Sequence, residues 1–428
     1  MKVLIISHNP LSTQSNMGKT ILSLFSGFEQ EELCQLYIYP SFPDRDGCAS
    51  YYRMTDKEAL VSVFSRKQPG GEVEKHRIGP EQGLYENPED QTFYKDRKNK
   101  SALRRLLRDA MWSLSPWNGK ALARWLDREQ PDCIFVAPGV AKFLYNFALD
   151  ISRSREIPVV CYFCDEYYFV KKPAAGLETL RVRLLRGKIR QLLERASHLV
   201  TISEEMRQAY ACAFSLPVTT LMTGAAYPAA ERVRPVRESG NLCYFGNIRC
   251  NRYLPLAEVG RELDRINEET GSGHRLNIYT AEQEPQILKS FDGIRSVRLC
   301  GFLSGDELEQ AMDAADLLLH VEAFDEASMD FTRHSVSTKI ADALARGIPL
   351  VAYGPGSLSS MRHLQRNGCA LLASSREQLG QVLRCAFEDP ALCCRTAEKG
   401  LAAAAAFHDK QKNTAVLRRI LEDASRKA

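Results

Sequence analysis

The 428-residue chain lacks any apolar run approaching the roughly 18 residues that a membrane-spanning helix needs. Its start, Met-Lys-Val-Leu-Ile-Ile-Ser, reaches polar residues too soon for a secretory signal peptide, and together these absences predict a cytoplasmic protein. Excess charge of one sign is also lacking. The 57 Lys and Arg against 53 Asp and Glu leave a formal net charge of +4. No nucleic-acid-binding motif accompanies the basic clusters of Lys95 to Arg108 and Lys171 to Arg195, so no nucleic-acid partner is expected. No internal repeat occurs, and the only biased stretch is the alanine run Ala402 to Ala406, which is good helix composition. The 13 cysteines are odd in number and scattered singly through apolar stretches, which excludes a disulfide framework and predicts reduced thiols. Cys161-Tyr162-Phe163-Cys164 has C-x-x-C spacing, but it sits in a strand-like run where residues three apart point to opposite faces. No second pair or suitable histidine follows, so it reads as core and no metal site is expected.

The length allows two domains of about 200 residues each, and 44% hydrophobic with 26% charged content is that of an ordinary globular protein. Strand-like runs at Lys2 to Ser7, Cys34 to Tyr39, Cys133 to Ala137, Val159 to Phe163 and Leu199 to Ile202 alternate with helical patterns. Such alternation implies a parallel sheet covered on both faces. Between Ala229 and Gly240 the pattern breaks into a polar linker. A second series follows: strands at Leu242 to Phe245, Leu276 to Tyr279, Val297 to Leu299 and Leu317 to Val321, with a helix from Leu254 to Glu268 after the first. Ser304 and Glu307 stand at capping-box spacing before another helix, and a last helix runs from about Phe407 onward. The fold class is therefore α/β, with two doubly wound, Rossmann-like domains.

The most informative segment runs from Ser337 to Ala352. Ser337 and Thr338 open a helix, where unpaired backbone N–H groups and the positive end of the dipole favour an anion, and Lys339 adds a cation. Asp342 follows Lys339 by three residues and so lies on the same helix face, one turn deeper. Gly347 ends the helix and the chain returns as a strand. A phosphate at the helix start and a polyhydroxyl group at the carboxylate would both be satisfied, and a sugar nucleotide offers that pair.

This stretch resembles the donor-site helix of nucleotide-sugar glycosyltransferases of the GT-B fold, in particular family 4 (glycosyl transferases group 1). Met1 to Gly27, Pro158 to Tyr168, Leu199 to Met206 and Leu242 to Ile248 resemble that family's other landmarks in order and spacing. The resemblance implies two Rossmann-like domains facing a cleft, with an acceptor domain at residues 1–232, a donor domain at 241–406 and a C-terminal helix at 407–428 crossing back onto the first. It also implies transfer of a sugar from a nucleotide-sugar donor to a saccharide or lipid-linked saccharide in cell-surface polysaccharide synthesis, with no cofactor and no metal. Donor binding would fall to Gly246, Asn247, Arg252, Arg333, Ser337, Thr338, Lys339 and Asp342. Arg252 stands where the family usually has a lysine on the diphosphate. His8, Gly18 and Glu166 would line the acceptor side, and Asp165, at the end of a buried strand, is the candidate base or hydroxyl-orienting group.

The chain departs from the family where two glutamates are usual. Asp342 stands at the second and His334 at the first, and an imidazole cannot replace an acceptor-only carboxylate, which leaves sugar choice and stereochemistry open. His334 is kept as a catalytic candidate. A nonhydrolysing UDP-sugar epimerase and a noncatalytic sugar-nucleotide-binding subunit are the alternatives. Gly18-Lys19-Thr20 ends like a P-loop, but Thr13 occupies the place of the first glycine. Asp44-Arg45-Asp46 has the spacing of metal-dependent sugar transferases, yet its Pro- and Gly-bounded setting predicts a turn. Leucines interleave with arginines in the segment from Lys95 to Trp117, as in a helix lying on an anionic membrane surface, so peripheral association with the inner face of the plasma membrane is a further expectation.

Overall fold

A computed structural model describes residues 1–13, 16–79, 101–170, 176–226, 229–234 and 240–426. Parts of the basic segments (95–100 and 171–175) and of the linker (235–239) lie outside the described residues. The chain forms two units. Met1–Leu221 and Lys410–Ala428 make the first, and Met222–Asp409 the second.

In the first unit, eight strands among the described residues form one sheet: β1 (Val3–Ser7), β2 (Leu33–Tyr37), β3 (Ser50–Arg53), β4 (Gly71–Glu72), β5 (Cys133–Ala137), β6 (Val159–Phe163), β7 (His198–Thr201) and β8 (Val218–Thr220). Their order is β4-β3-β2-β1-β5-β6-β7-β8, parallel throughout except for the β3–β4 edge pair. The apolar runs at β1, β5 and β6 are wholly buried because helices cover both faces. Alternate residues serve the two faces. Leu4, Ile6, Ile134 and Val136 join the core that holds Trp112, Phe143 and Ile189. Val3, Ile5, Cys133 and Phe135 join the one that holds Phe25, Leu417 and Leu421.

Leu417 and Leu421 belong to the helix Lys410–Arg426, which packs against the helix Asn16–Leu24. Both are fully buried, worth roughly 1.5 to 3 kcal/mol apiece. Arg418 adds a fork of hydrogen bonds to Glu32, at 2.6 and 2.8 Å. This last helix starts later than expected. Residues up to Phe407, including the alanine run, form the separate helix Pro390–Phe407, and His408 breaks the two apart.

The second unit's sheet contains β9 (Asn241–Phe245), β10 (Arg275–Tyr279), β11 (Val297–Gly301), β12 (Leu317–Val321), β13 (Leu350–Tyr353) and β14 (Leu371–Ala373), in the order β11-β10-β9-β12-β13-β14 and parallel throughout. The second unit starts at Met222, earlier than the polar linker suggested, because residues before that linker and within it bond to this unit. Ala225 N–H donates to His408 O at 2.9 Å, Ala230 N–H to Ala345 O at 2.7 Å and Arg234 N–H to Gly347 O at 2.9 Å. The capping box expected at Ser304 does not form. Ser304 is the N-cap of the helix Gly305–Asp313, but its side chain makes no cap hydrogen bond.

Candidate functional site

The carboxyl ends of β9 and β12 and the helix Thr338–Ala345 build the site in the second unit. Gly246 follows β9 with φ +143°, a conformation open to glycine, and its N–H donates to Tyr279 O at 2.8 Å at the end of β10. The chain then passes through Cys250 and Asn251, both at φ 56°, and enters the helix Tyr253–Thr270 with Arg252 at the N-cap. Asn251 is held by Asp325, whose carboxylate accepts its side-chain N–H at 3.0 Å. This turn aims Arg252 back across the strand ends. Its Nε and Nη2 donate to Glu322 Oε2 at 3.1 and 2.9 Å.

Glu322 is 3% exposed and immediately follows β12, its N–H donating to Tyr353 O at 3.0 Å. His320, two residues earlier and so on the same face, places Nε2 3.4 Å from Glu322 Oε1. Burial would raise the Glu322 carboxyl. The His320 contact and the Arg252 charge outweigh burial and hold the carboxyl below its usual range.

Lys339, the second residue of the helix Thr338–Ala345, lies directly over Gly246, so that a Cβ there would overlap the lysine side chain. Its Nζ stands 6.0 Å from the centre of the Tyr244 ring. Lys339 still meets solvent, but in a concavity it shares with Arg252, Ser337, Phe245 and His320. Desolvation in that concavity, and then the Arg252 charge, pull its ammonium down to about 8 against the pull of Glu322. Ser337 is the N-cap, yet its side chain makes no cap hydrogen bond, so the helix start presents backbone N–H groups. Two cations and a helix N-terminus thus converge beside a backbone with no side chain to block close approach. Such a set favours a multiply charged anion.

The remaining donor-side candidates divide. Asp342 lies one turn deeper and accepts Ala226 N–H on Oδ1 at 2.6 Å. Asn247 is exposed and its Oδ1 accepts Arg249 N–H at 2.7 Å, an Asx turn that shapes the loop. Thr338 is exposed at the first helical position. Arg333 pairs with Asp330 on the surface, and His334 is half-buried in the turn that follows. Glu322 and His320 were missed in the sequence. The available signal was two ionisable residues at alternate positions closing the otherwise apolar run Leu-Leu-Leu-His-Val-Glu.

In the first unit, His8 follows β1 and Asp165 follows β6, with β5 between them. Both therefore stand at the carboxyl edge of the sheet, two strand spacings or roughly 10 Å apart. His8 Nε2 lies 3.2 Å from Arg108 Nη2 and His8 Nδ1 lies 3.0 Å from Asn9 Oδ1. A guanidinium only donates, so Nε2 is the acceptor and the proton sits on Nδ1. Arg108 is fixed by the buried Asp56, whose Oδ1 also accepts from Trp112 Nε1 at 2.8 Å. Glu166 Oε1 accepts the N–H groups of Tyr168 and Phe169, each at 2.7 Å, and the Tyr210 hydroxyl at 3.0 Å, so this carboxylate fastens the loop after β6. Asp165 beside it is half-buried, 3.9 Å from the Cys164 thiol, and Gly18 is buried in the first helix. Asp44 accepts Ser12 Oγ at 2.9 Å and Thr13 N–H and Oγ1 at 2.8 Å, so its carboxylate shapes the loop after β1.

No family model matches the sequence, and no curated protein does. Solved structures are similar over nearly the whole chain. Anabaena HepE in complex with UDP aligns with a TM-score of 0.62 at 12% identity, over 99% of this chain and all of that one. Sucrose-phosphate synthase from Thermosynechococcus elongatus aligns with a TM-score of 0.61 at 11% identity, covering both chains fully. An alpha,alpha-trehalose 6-phosphate synthase from Burkholderia multivorans aligns with a TM-score of 0.59 at 12% identity, over 100% of this chain and 97% of that one. The two successive Rossmann-like units, with the C-terminal helix returned to the first, thus have the GT-B fold of these solved structures.

Proposed function

We propose that the protein is a glycosyltransferase that takes its sugar from a nucleotide-sugar donor held in the second unit. The diphosphate sits against Lys339, Arg252 and the N–H groups at the start of the helix Thr338–Ala345, and a ribose hydroxyl reaches the Asp342 carboxylate one turn deeper. The observation that carries the reading is the placement of Lys339 over Gly246 beside Arg252. These cations stabilise the leaving diphosphate as charge develops on it, a task that elsewhere falls to a metal ion, so transfer is metal-independent. HepE crystallised with UDP and with UDP-glucose supports a uridine nucleotide in the panel described below.

The acceptor is a saccharide or lipid-linked saccharide of cell-surface polysaccharide synthesis, met at the inner face of the membrane. His8 and Asp165 at the carboxyl edge of the first sheet orient its hydroxyl. A thermal-shift panel of UDP-, GDP-, ADP- and CMP-linked sugars tests the donor reading, since a ligand at 100 times its Kd stabilises by about 2.7 kcal/mol. One nucleotide class should raise Tm, and transfer from it should survive EDTA. No shift with any donor, or activity that EDTA abolishes and manganese restores, would overturn the proposal.

A further inference from the structure

One face of the first unit carries an unusual concentration of exposed apolar side chains. The helix Ala102–Leu114 packs between the helices Asp56–Ser65 and Leu177–Arg195, on the same side of the sheet. On the middle helix Leu103, Leu107 and Leu114 fall within 40° of one another on the helical wheel and are 51, 59 and 64% exposed. Leu60 and Phe64 of the first helix are 43 and 82% exposed, and Leu180 and Leu184 of the third 47 and 41%. Arg105 and Glu178, 3.9 Å apart, bring the first turns of the second and third helices side by side.

Charge on this face is sorted. Arg104 and Arg183 on the helices, and Arg66 and Lys67 just past the first, are exposed. The carboxylates are turned inward or engaged: Asp56 with Arg108 and Trp112, Glu58 in the cap at Thr55, Asp109 buried and Glu178 with Arg181. Glu194, the exposed exception, stands more than two turns beyond Leu184.

We infer that this three-helix face docks on an anionic phospholipid bilayer, its leucines and Phe64 entering the interface and its basic rim meeting the headgroups. A second copy of the face would oppose its own positive rim. Apolar ridges bounded by cations match the chemistry of a negatively charged membrane surface. The inference deepens the acceptor reading above by saying where the chain meets the membrane, and it does not depend on which donor is used.

The structure also dictates which variants test it. Arg108 and Arg105 hold internal ion pairs, so reversing them would disturb the fold. Arg104→Glu/Arg183→Glu and Phe64→Ser/Leu107→Ser alter exposed groups only. With vesicles of phosphatidylcholine and phosphatidylglycerol at low salt the parent should cosediment. The charge variant should bind at least about 25-fold more weakly, about fivefold for each cation removed, and the apolar variant at least about tenfold more weakly. High salt should release the parent. A parent that stays in the supernatant, equal binding to neutral vesicles, variants that pellet like the parent, or a dimer in sedimentation that Phe64→Ser/Leu107→Ser dissolves would each overturn the inference. Thermal shift by nucleotide-sugars on the same proteins reads the donor site separately, so that loss there speaks against the transferase and not against docking.

Discussion

Raising the pH from 7 to 9 should weaken nucleotide-sugar binding about tenfold, through Lys339. With its ammonium held at about 8, Lys339 is roughly 90% charged at pH 7 and roughly 10% at pH 9. Only the charged form attracts a diphosphate, so affinity is flat below the side chain's own pKa and falls by about one decade per pH unit above it, or about 1.4 kcal/mol per unit. A bound diphosphate supplies an adjacent negative charge, which favours the ammonium and raises its pKa in the complex. Binding should therefore take up a proton, roughly half of one at pH 8.

The assay is isothermal calorimetry in buffers of differing ionisation enthalpy, at low and high salt, because the side chain remains in touch with solvent and is screened. A nucleotide-sugar is the better titrant, since its phosphates carry no proton that titrates in this range. Lys339→Arg stays charged and should give a flat profile, and Lys339→Ala a flat profile at lower affinity. A flat profile in the parent, or an equal slope in Lys339→Arg, would show that the Lys339 ammonium does not set the affinity.

Gly246→Ala should cost about 1 to 3 kcal/mol of stability, from strain at φ +143°, and should weaken nucleotide binding by displacing Lys339; unaltered calorimetric affinity would separate the two residues. Arg252→Ala should both weaken diphosphate binding and destabilise the second unit, by about 3 kcal/mol in urea unfolding, because Glu322 is left buried without its cation, whereas Lys339→Ala should affect binding alone. Asp342→Ala should lower affinity for the nucleoside, by about 1.5 kcal/mol or more, and equal affinity in the variant would remove Asp342 from the ribose. Acid should loosen the second unit through His363, which burial holds down to about 3 and which lies 3.1 Å from His408. The unfolded chain takes up that proton from about pH 6.5 downward and the native one does not, so stability falls as pH falls, by about 2 kcal/mol at pH 5; His363→Gln should shrink this slope in pH-dependent unfolding, and the buried His408, also held below its usual range, carries the rest.

Whatever depends on neighbours along the chain is legible in the order of its residues. Period and burial pattern located the strands of the inner sheets, within a residue or two at β1, β5, β6, β9 and β12. Gly347 marked the end of the donor-side helix, because the left-handed turn is chemistry of a single residue, and Ser337 and Thr338 fell at its start although the Ser337 side chain makes no cap hydrogen bond. The short strands β3, β4, β8 and β14 were not legible, being three or four residues at most and held by their neighbours in the sheet more than by their own pattern. Roles that depend on a partner distant in sequence emerge when the chain folds. Arg252 reads as a diphosphate ligand along the chain, and folding adds what the chain does not show, a buried carboxylate 70 residues away, Glu322, that orients its guanidinium. Arg108 reads as part of a membrane-facing stripe, but Asp56, 52 residues away, draws it inward to His8 and leaves Arg104 and the leucines outside. A periodic pattern states which side of an element is apolar. Which ionised groups neutralise one another, and so which charges are left for a ligand or a membrane, is settled when packing removes water from between them.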